Sequence, residues 1–166
     1  MVIRHAKKNE LQLIRKIAFY TWPNAYADIL SDDQLAYMLK MMYNLDVLAS
    51  QQDQLKHHFI LAFDEAENEL GFACYSKELD YPAKYQLHKL YILSTQQGKK
   101  IGTMLLDFVL KEIKKKKEKA VIELNVNRQN KAVNFYLKKG FSIIREEDND
   151  IGQGYFMNDY VMQMDV

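Results

Sequence analysis

The chain has 166 residues, 48% of them hydrophobic, with 23 Lys+Arg against 22 Asp+Glu and a formal net charge of +1. That length and apolar content suit a single domain over 1–166 with a sizeable core, and the near-neutral balance leaves no global field to recruit nucleic acid or an acidic membrane. The single cysteine, Cys74, excludes an internal disulfide and a multi-thiolate metal site, and no stretch approaches the length of a membrane span.

Val2 to His5 reads as a first strand, with no apolar leader segment in Met1–His5, so a cytoplasmic location is the expectation. A helix is predicted over Asn9 to Tyr20, where Leu13, Ile14, Ile17 and Ala18 recur at helical spacing, and Trp22-Pro23 is expected to end it. Ser31-Asp32-Asp33-Gln34 has the form of a capping box, in which the Ser31 hydroxyl accepts from the Gln34 N–H while the Gln34 side chain reaches back. The helix it starts carries Leu35, Met38, Leu39 and Met42 on one stripe, the spacing of a core face. A further helical piece is predicted from Asp46 to about Lys56.

From Phe59 the texture changes to short apolar runs between polar turns. Phe59 to Phe63, Leu70 to Tyr75 and Tyr85 to Leu93 read as three successive antiparallel strands. Cys74, inside the second run, reads as a buried structural thiol, since reactivity needs an electropositive, accessible setting. On the third run the two-residue period puts Gln86, His88 and Leu90 on one face. His57-His58 lack the spacing and carboxylates of a zinc site, so no metal is expected.

Gln97-Gly98-Lys99-Lys100-Ile101-Gly102 then turns from the strand into a strongly amphipathic helix running to about Lys117. The unpaired N–H groups of a first helical turn, the dipole's positive end and two lysines form a generic anion site, and glycine lets the backbone approach closely. Lys99 and Lys100 read either as phosphate partners or as a solvated loop. Lys114 to Lys117 fall at the helix C-terminus, where cations complement the dipole. Val121 to Asn127 is a strand with Ile122, Leu124 and Val126 on one face. Asn130 suits an N-cap and Gly140 the left-handed position past a helix C-terminus, delimiting a short helix over Ala132 to Lys139. Two last strands, near Phe141 to Arg145 and Tyr155 to Met164, flank a polar segment containing Gly152 and Gly154.

With Asn130-x-x-x-x-Phe135-Tyr136-x-x-x-Gly140-Phe141 downstream of Gln97-x-x-x-x-Gly102, nearly the whole chain resembles the GNAT (Gcn5-related) N-acetyltransferases. In that family's Gln/Arg-x-x-Gly-x-Gly/Ala loop, Gln97 and Gly102 match and Lys100 stands where glycine is usual. The resemblance implies an α/β (α+β) fold with a mixed central sheet of about six to seven strands. The sheet would be mostly antiparallel, flanked by helices, and splayed between the two strands that border a CoA site.

It implies acetyl-CoA as cosubstrate, held along Leu90, Tyr91 and Ile92, the loop Gln97, Gly98, Lys99, Lys100, Ile101, Gly102 and Thr103, and Asn130, Phe135 and Tyr136. Backbone N–H groups near Tyr91 and Ile92 would meet the oxyanion, and Tyr136 matches the family's general acid at sulfur. His88 is the candidate base, where family members often have a carboxylate, and a packed strand histidine is the other reading. The expected acceptor is a primary amine on a small molecule. The Leu90-Tyr91-Ile92 segment, the block at 136 to 141 and the helical N-terminal third are similar to bacterial polyamine acetyltransferases of the PaiA type. The acidic residues Asp28, Asp32, Asp33 and Glu146 to Asp150 could attract such a cation or could be helix caps and a solvated hairpin. A non-catalytic CoA-binding module and a protein N-terminal or lysine acetyltransferase are the alternatives, and an exposed closing strand leaves a homodimer open.

Overall fold

The computed structural model describes residues 1–81, 83–116 and 119–166. In chain order it forms β1 (Val2–His5), α1 (Leu11–Tyr26), α2 (Asp32–Tyr43), α3 (Leu45–Asp53), β2 (His58–Phe63), β3 (Glu69–Lys77) and β4 (Lys84–Ile92). Then follow α4 (Ile101–Lys114), β5 (Val121–Asn127), α5 (Ala132–Lys138), β6 (Ser142–Gly152) and β7 (Tyr155–Asp165). The strands make one sheet in the order β1-β2-β3-β4-β5-β7-β6, antiparallel at every junction except the parallel pair β4–β5. Lys117, the end of the expected lysine run, lies outside the described residues. No helix among the described residues is long and apolar enough to cross a membrane.

Strand alternation feeds two cores, one on each face of the sheet. Ile60, Ala73, Leu87 and Leu124 pack with Leu105, Leu106 and Val109 of α4. Phe59, Leu61, Phe72 and Cys74 pack with Ile14, Ile17, Trp22, Leu39 and Leu48 of the helical lobe. The central strands β2 and β3 are therefore covered on both sides, which is why their sequences are nearly continuous apolar runs. Cys74 is fully buried, and burial pushes its thiol up to about 12, as befits a structural residue.

The structure departs from the sequence expectation in several places. Helix α1 does not stop at Trp22-Pro23 but runs to Tyr26 with Pro23 inside it. Proline removes one backbone donor. That loss falls on an exposed stretch, while Trp22 is 1% exposed and packs on Tyr26 at 4.8 Å between ring centroids. Tertiary packing thus outweighs the local breaker. At Ser31 only half of the capping box forms: Ser31 Oγ accepts from the Gln34 N–H at 3.2 Å, while Gln34 Nε2 donates to the Phe156 carbonyl at 3.0 Å and ties the lobe to β7.

The third departure matters most for function. In the β3–β4 ladder Cys74 pairs with Lys89 but Tyr75 pairs with Leu87, so His88 is the extra residue of a β-bulge. The bulge reverses the alternation, and Leu90 turns to the α4 face with Leu87 instead of sharing the face of Gln86 and His88. Fourth, the strand expected near Phe141 to Arg145 runs on through Glu146 to Asp150 as β6, an eleven-residue outer strand. With little covering its faces, this strand carries almost no apolar pattern by which it could be recognised.

Its hairpin turn is conventional. Gln153 and Gly154 both have positive φ, at 55° and 78°, as a two-residue type I′ connection requires.

Candidate active site

Strands β4 and β5 pair only from Lys84↔Val121 to Leu87↔Leu124. Beyond that point the bulge bends β4, whereas β5 stays with β7 as far as Asn127↔Asp159. The two strands part and leave a notch. Because the Leu93 N–H bonds the Leu70 carbonyl across the β3 side, strand alternation turns the Ile92 N–H toward the open side. The notch holds a cavity of about 580 Å³ that brings together Leu90, Tyr91, Ile92, Gln97, Gly102, Asn130, Phe135 and Tyr136. The other expected residues, Gly98, Lys99, Lys100, Ile101 and Thr103, are not among those lining the cavity, and Ile101 is buried in the core. Thr21, Asp28 and Lys131 also line the cavity and were not singled out as cofactor contacts from sequence.

Gly98 has φ 80°, and Lys100, the N-cap of α4, has φ 61° and ψ 12°. A left-handed residue is what glycine normally supplies, so lysine keeps the loop's shape at some conformational cost. The free N–H groups of the first turn of α4 follow directly. Lys99 is turned back, its Nζ 2.8 Å from Gln96 Oε1. At Gly102 a Cβ would reach only ordinary contact distance, 3.7 Å from both Ile92 and Phe135.

Helix α5 presents its residues through firm ends. Lys131 takes the N-cap position, and Asn130 sits one residue earlier, its Oδ1 accepting from the Ala132 N–H at 2.8 Å. Gly140, at φ 95°, closes the helix with the Phe141 N–H on the Tyr136 carbonyl and the Gly140 N–H on the Leu137 carbonyl, each at 3.1 Å, a Schellman pair. Tyr136 is 8% exposed and set edge-on to Phe135 and Phe141, at 5.2 and 5.6 Å between centroids. Burial raises its pKa well above the usual phenol range, so the hydroxyl stays protonated.

A second cavity, about 220 Å³, lies on the helical-lobe side, and Tyr91 lines both. Its walls mix Trp22, Tyr26, Met38 and Met42 with Gln86, His88, Asn125 and Asp159. The Tyr26 and Tyr91 hydroxyls stand 3.1 Å apart at the junction.

His88 is in this wall, but its Nε2 is 2.8 Å from Ser76 Oγ and its ring stacks on His57 at 4.0 Å. Burial first, and then His57 and the buried Lys89, push His88 down to about 3, leaving a neutral, weakly basic imidazole. Sequence reasoning missed Asp159. It is 3% exposed, and burial together with neighbouring Glu147 pushes its carboxyl up to about 6, against a smaller pull from Arg128 and Asn125. The available signal was an acid on the inward side of an alternating strand, between Met157 and Val161.

The surface acids of β6 are largely committed. Arg128 pairs with both Glu146 and Asp148, and Arg145 Nε is 2.8 Å from Glu147. Asp28 faces the larger cavity, while Asp32 lies near a separate groove beside α1 and α3.

Residues 26–162 match the acetyltransferase (GNAT) domain family. The chain is 31% identical over 163 residues to a spermidine N(1)-acetyltransferase of Thermoplasma acidophilum, covering 93% of this chain and 94% of that protein. The fold is similar to that of the PaiA N-acetyltransferase of Thermoplasma acidophilum in complex with coenzyme A, with a TM-score of 0.80, 28% identity and full coverage of both chains. A GCN5-related N-acetyltransferase structure from Rhodopseudomonas palustris has the same TM-score at 17% identity, covering 99% of this chain and 95% of that one.

Proposed function

The chain belongs to the GNAT acetyltransferase family, and from that premise we propose that this N-acetyltransferase moves the acetyl group of acetyl-CoA to a primary amine of a small molecule such as a polyamine. Transfer occurs by direct attack within a ternary complex, in one catalytic domain spanning the chain. The observation that carries this reading is the meeting of two cavities at Tyr91, one ending at a helix N-terminus and the other holding buried polar groups. The small acceptor cavity also favours a small amine over a protein substrate.

The residues present suit acetyl-CoA. The left-handed backbone at Gly98 and Lys100 and the first-turn N–H groups of α4 offer donors to its phosphates. The notch accommodates an extended chain between β4 and β5. In this reading the Ile92 N–H holds the oxyanion as the tetrahedral centre forms, and Tyr136 donates to sulfur as the C–S bond breaks. An acceptor amine, with a pKa near about 10, needs a proton acceptor on the other side. His88, the candidate read from sequence, reaches that side only as a neutral imidazole already engaged with Ser76.

Titration calorimetry with acetyl-CoA tests the foundation: saturable binding below millimolar concentration is expected, and its absence at millimolar concentration would refute the reading. Thiol release across a panel of amines, polyamines included, tests transfer. Binding without release on any of them would favour a non-catalytic CoA module.

Lys100→Gly is expected to raise stability by about 0.5–1 kcal/mol, because glycine adopts the left-handed backbone without strain. Acetyl-CoA affinity should stay within about threefold, since Lys100 is exposed and its charge is screened, while the backbone donors remain. Thermal melting and calorimetry of the variant check the two halves separately.

A further inference from the structure

We propose that Asp159 is the carboxylate that receives the acceptor amine, pairing with its ammonium in the smaller cavity and taking its proton as the nitrogen attacks the thioester. This deepens the acetyl-transfer reading above and rests on it. The geometry is specific. Asp159 is 3% exposed, lies on β7 opposite Asn127, and lines the same cavity as Tyr91, the residue that also borders the thioester notch. Its nearby arginine, Arg128, is already committed to Glu146 and Asp148. A buried carboxylate with its basic neighbour occupied is costly to keep, and a cationic ligand entering the cavity would relieve that cost.

The groups facing Asp159 agree with this role. Glu147 on β6 adds negative charge and helps raise the Asp159 carboxyl, while Asn125 on β5 and Arg128 beyond it lower it. Tyr26 on α1 stays neutral chiefly because it is buried, with the Asp159 charge adding to that, and His88 in the same cavity wall is neutral as well. With its pKa near 6, Asp159 is anionic at neutral pH yet more basic than an ordinary carboxylate. Trp22, Tyr26, Met38 and Met42 surround the methylenes of an aliphatic amine.

The protons balance. An ammonium acceptor loses two protons on becoming an amide: the first goes to Asp159 and on to solvent. The second leaves nitrogen once the C–N bond has formed, again to Asp159, which has passed the first to solvent. As the C–S bond breaks, Tyr136 gives its proton to sulfur and recovers one from solvent, so one proton is released overall.

The test is Asp159→Asn, compared with the wild type in calorimetry with acetyl-CoA, in kcat/KM for spermidine against pH, and in thermal melting at pH 8 and pH 4. Wild-type kcat/KM should fall as pH drops through about 6. The variant should lose at least tenfold in kcat/KM and lose that acidic limb, with acetyl-CoA affinity within threefold. Because the folded pKa of Asp159 is raised, its charge destabilises the fold above about pH 6, and that penalty disappears as pH falls toward the unfolded value. Asp159→Asn should therefore melt higher than wild type at pH 8, with the difference shrinking at pH 4. Retained turnover with the acidic limb intact would overturn the assignment, and so would a lower melting temperature at pH 8, which would mark Asp159 as a structural partner. Failure of the wild type to bind acetyl-CoA would instead overturn the transfer reading itself, and the assignment with it.

Discussion

Tyr136→Phe is expected to lower turnover by about one to two orders of magnitude while leaving acetyl-CoA affinity within about threefold. The substitution removes one oxygen and keeps the ring that packs edge-on between Phe135 and Phe141. Fold and cavity shape should survive, and melting within a few degrees of wild type checks that they do. What disappears, on the proposed mechanism, is the donor to sulfur. A thiolate forming beside the buried Tyr136 loses its hydroxyl donor, so the loss falls on the transition state and shows in kcat more than in KM. A faster release of thiol from a more acidic acyl-thiol donor should narrow the gap between variant and wild type. Unchanged turnover would remove Tyr136 from the mechanism.

Gly71→Ala is expected to destabilise the protein by about 1–3 kcal/mol and to weaken acetyl-CoA binding by tenfold or more. Gly71 lies in β3 opposite Ile92 of β4. A Cβ there would meet the Tyr91 carbonyl oxygen at 2.6 Å and the Ile92 Cδ1 at 2.8 Å. The first contact is with backbone and cannot be relieved by a rotamer change, so β4 must shift. The segment that shifts is the one whose N–H and side chains border the thioester notch. Melting and calorimetry should therefore report losses together. A variant with wild-type melting temperature and affinity would show that β4 yields there without consequence. The sequence hint was a lone glycine inside an apolar strand, a usual mark of close backbone approach.

Much of the wall of the larger cavity was legible because it is built from neighbours in sequence. A strand, a glycine-containing turn and a helix N-terminus lie within Leu90 to Thr103, and a capped short helix within Asn130 to Gly140, so spacing alone places their backbone groups. Even the awkward residue resolved locally: Lys100 adopts a left-handed conformation that glycine normally supplies. The acceptor side was not legible in the same way. Asp159 reads as one more polar residue of a hairpin until β5, β6 and α1 close around it, and the acids of β6 read as free until Arg128 and Arg145 are seen to hold them.

By itself, then, the sequence determined the order of elements, the class of fold and the glycine-containing turn before α4, since hydrophobic period, caps and glycine positions act over a few residues. Only the tertiary structure decided that α1 continues past Pro23, that His88 forms a bulge and reverses the face of Leu90, and that Asp159 is buried beside Tyr91's cavity. Each of those outcomes depends on partners tens of residues away, whose packing and desolvation outweigh the local preference of the chain.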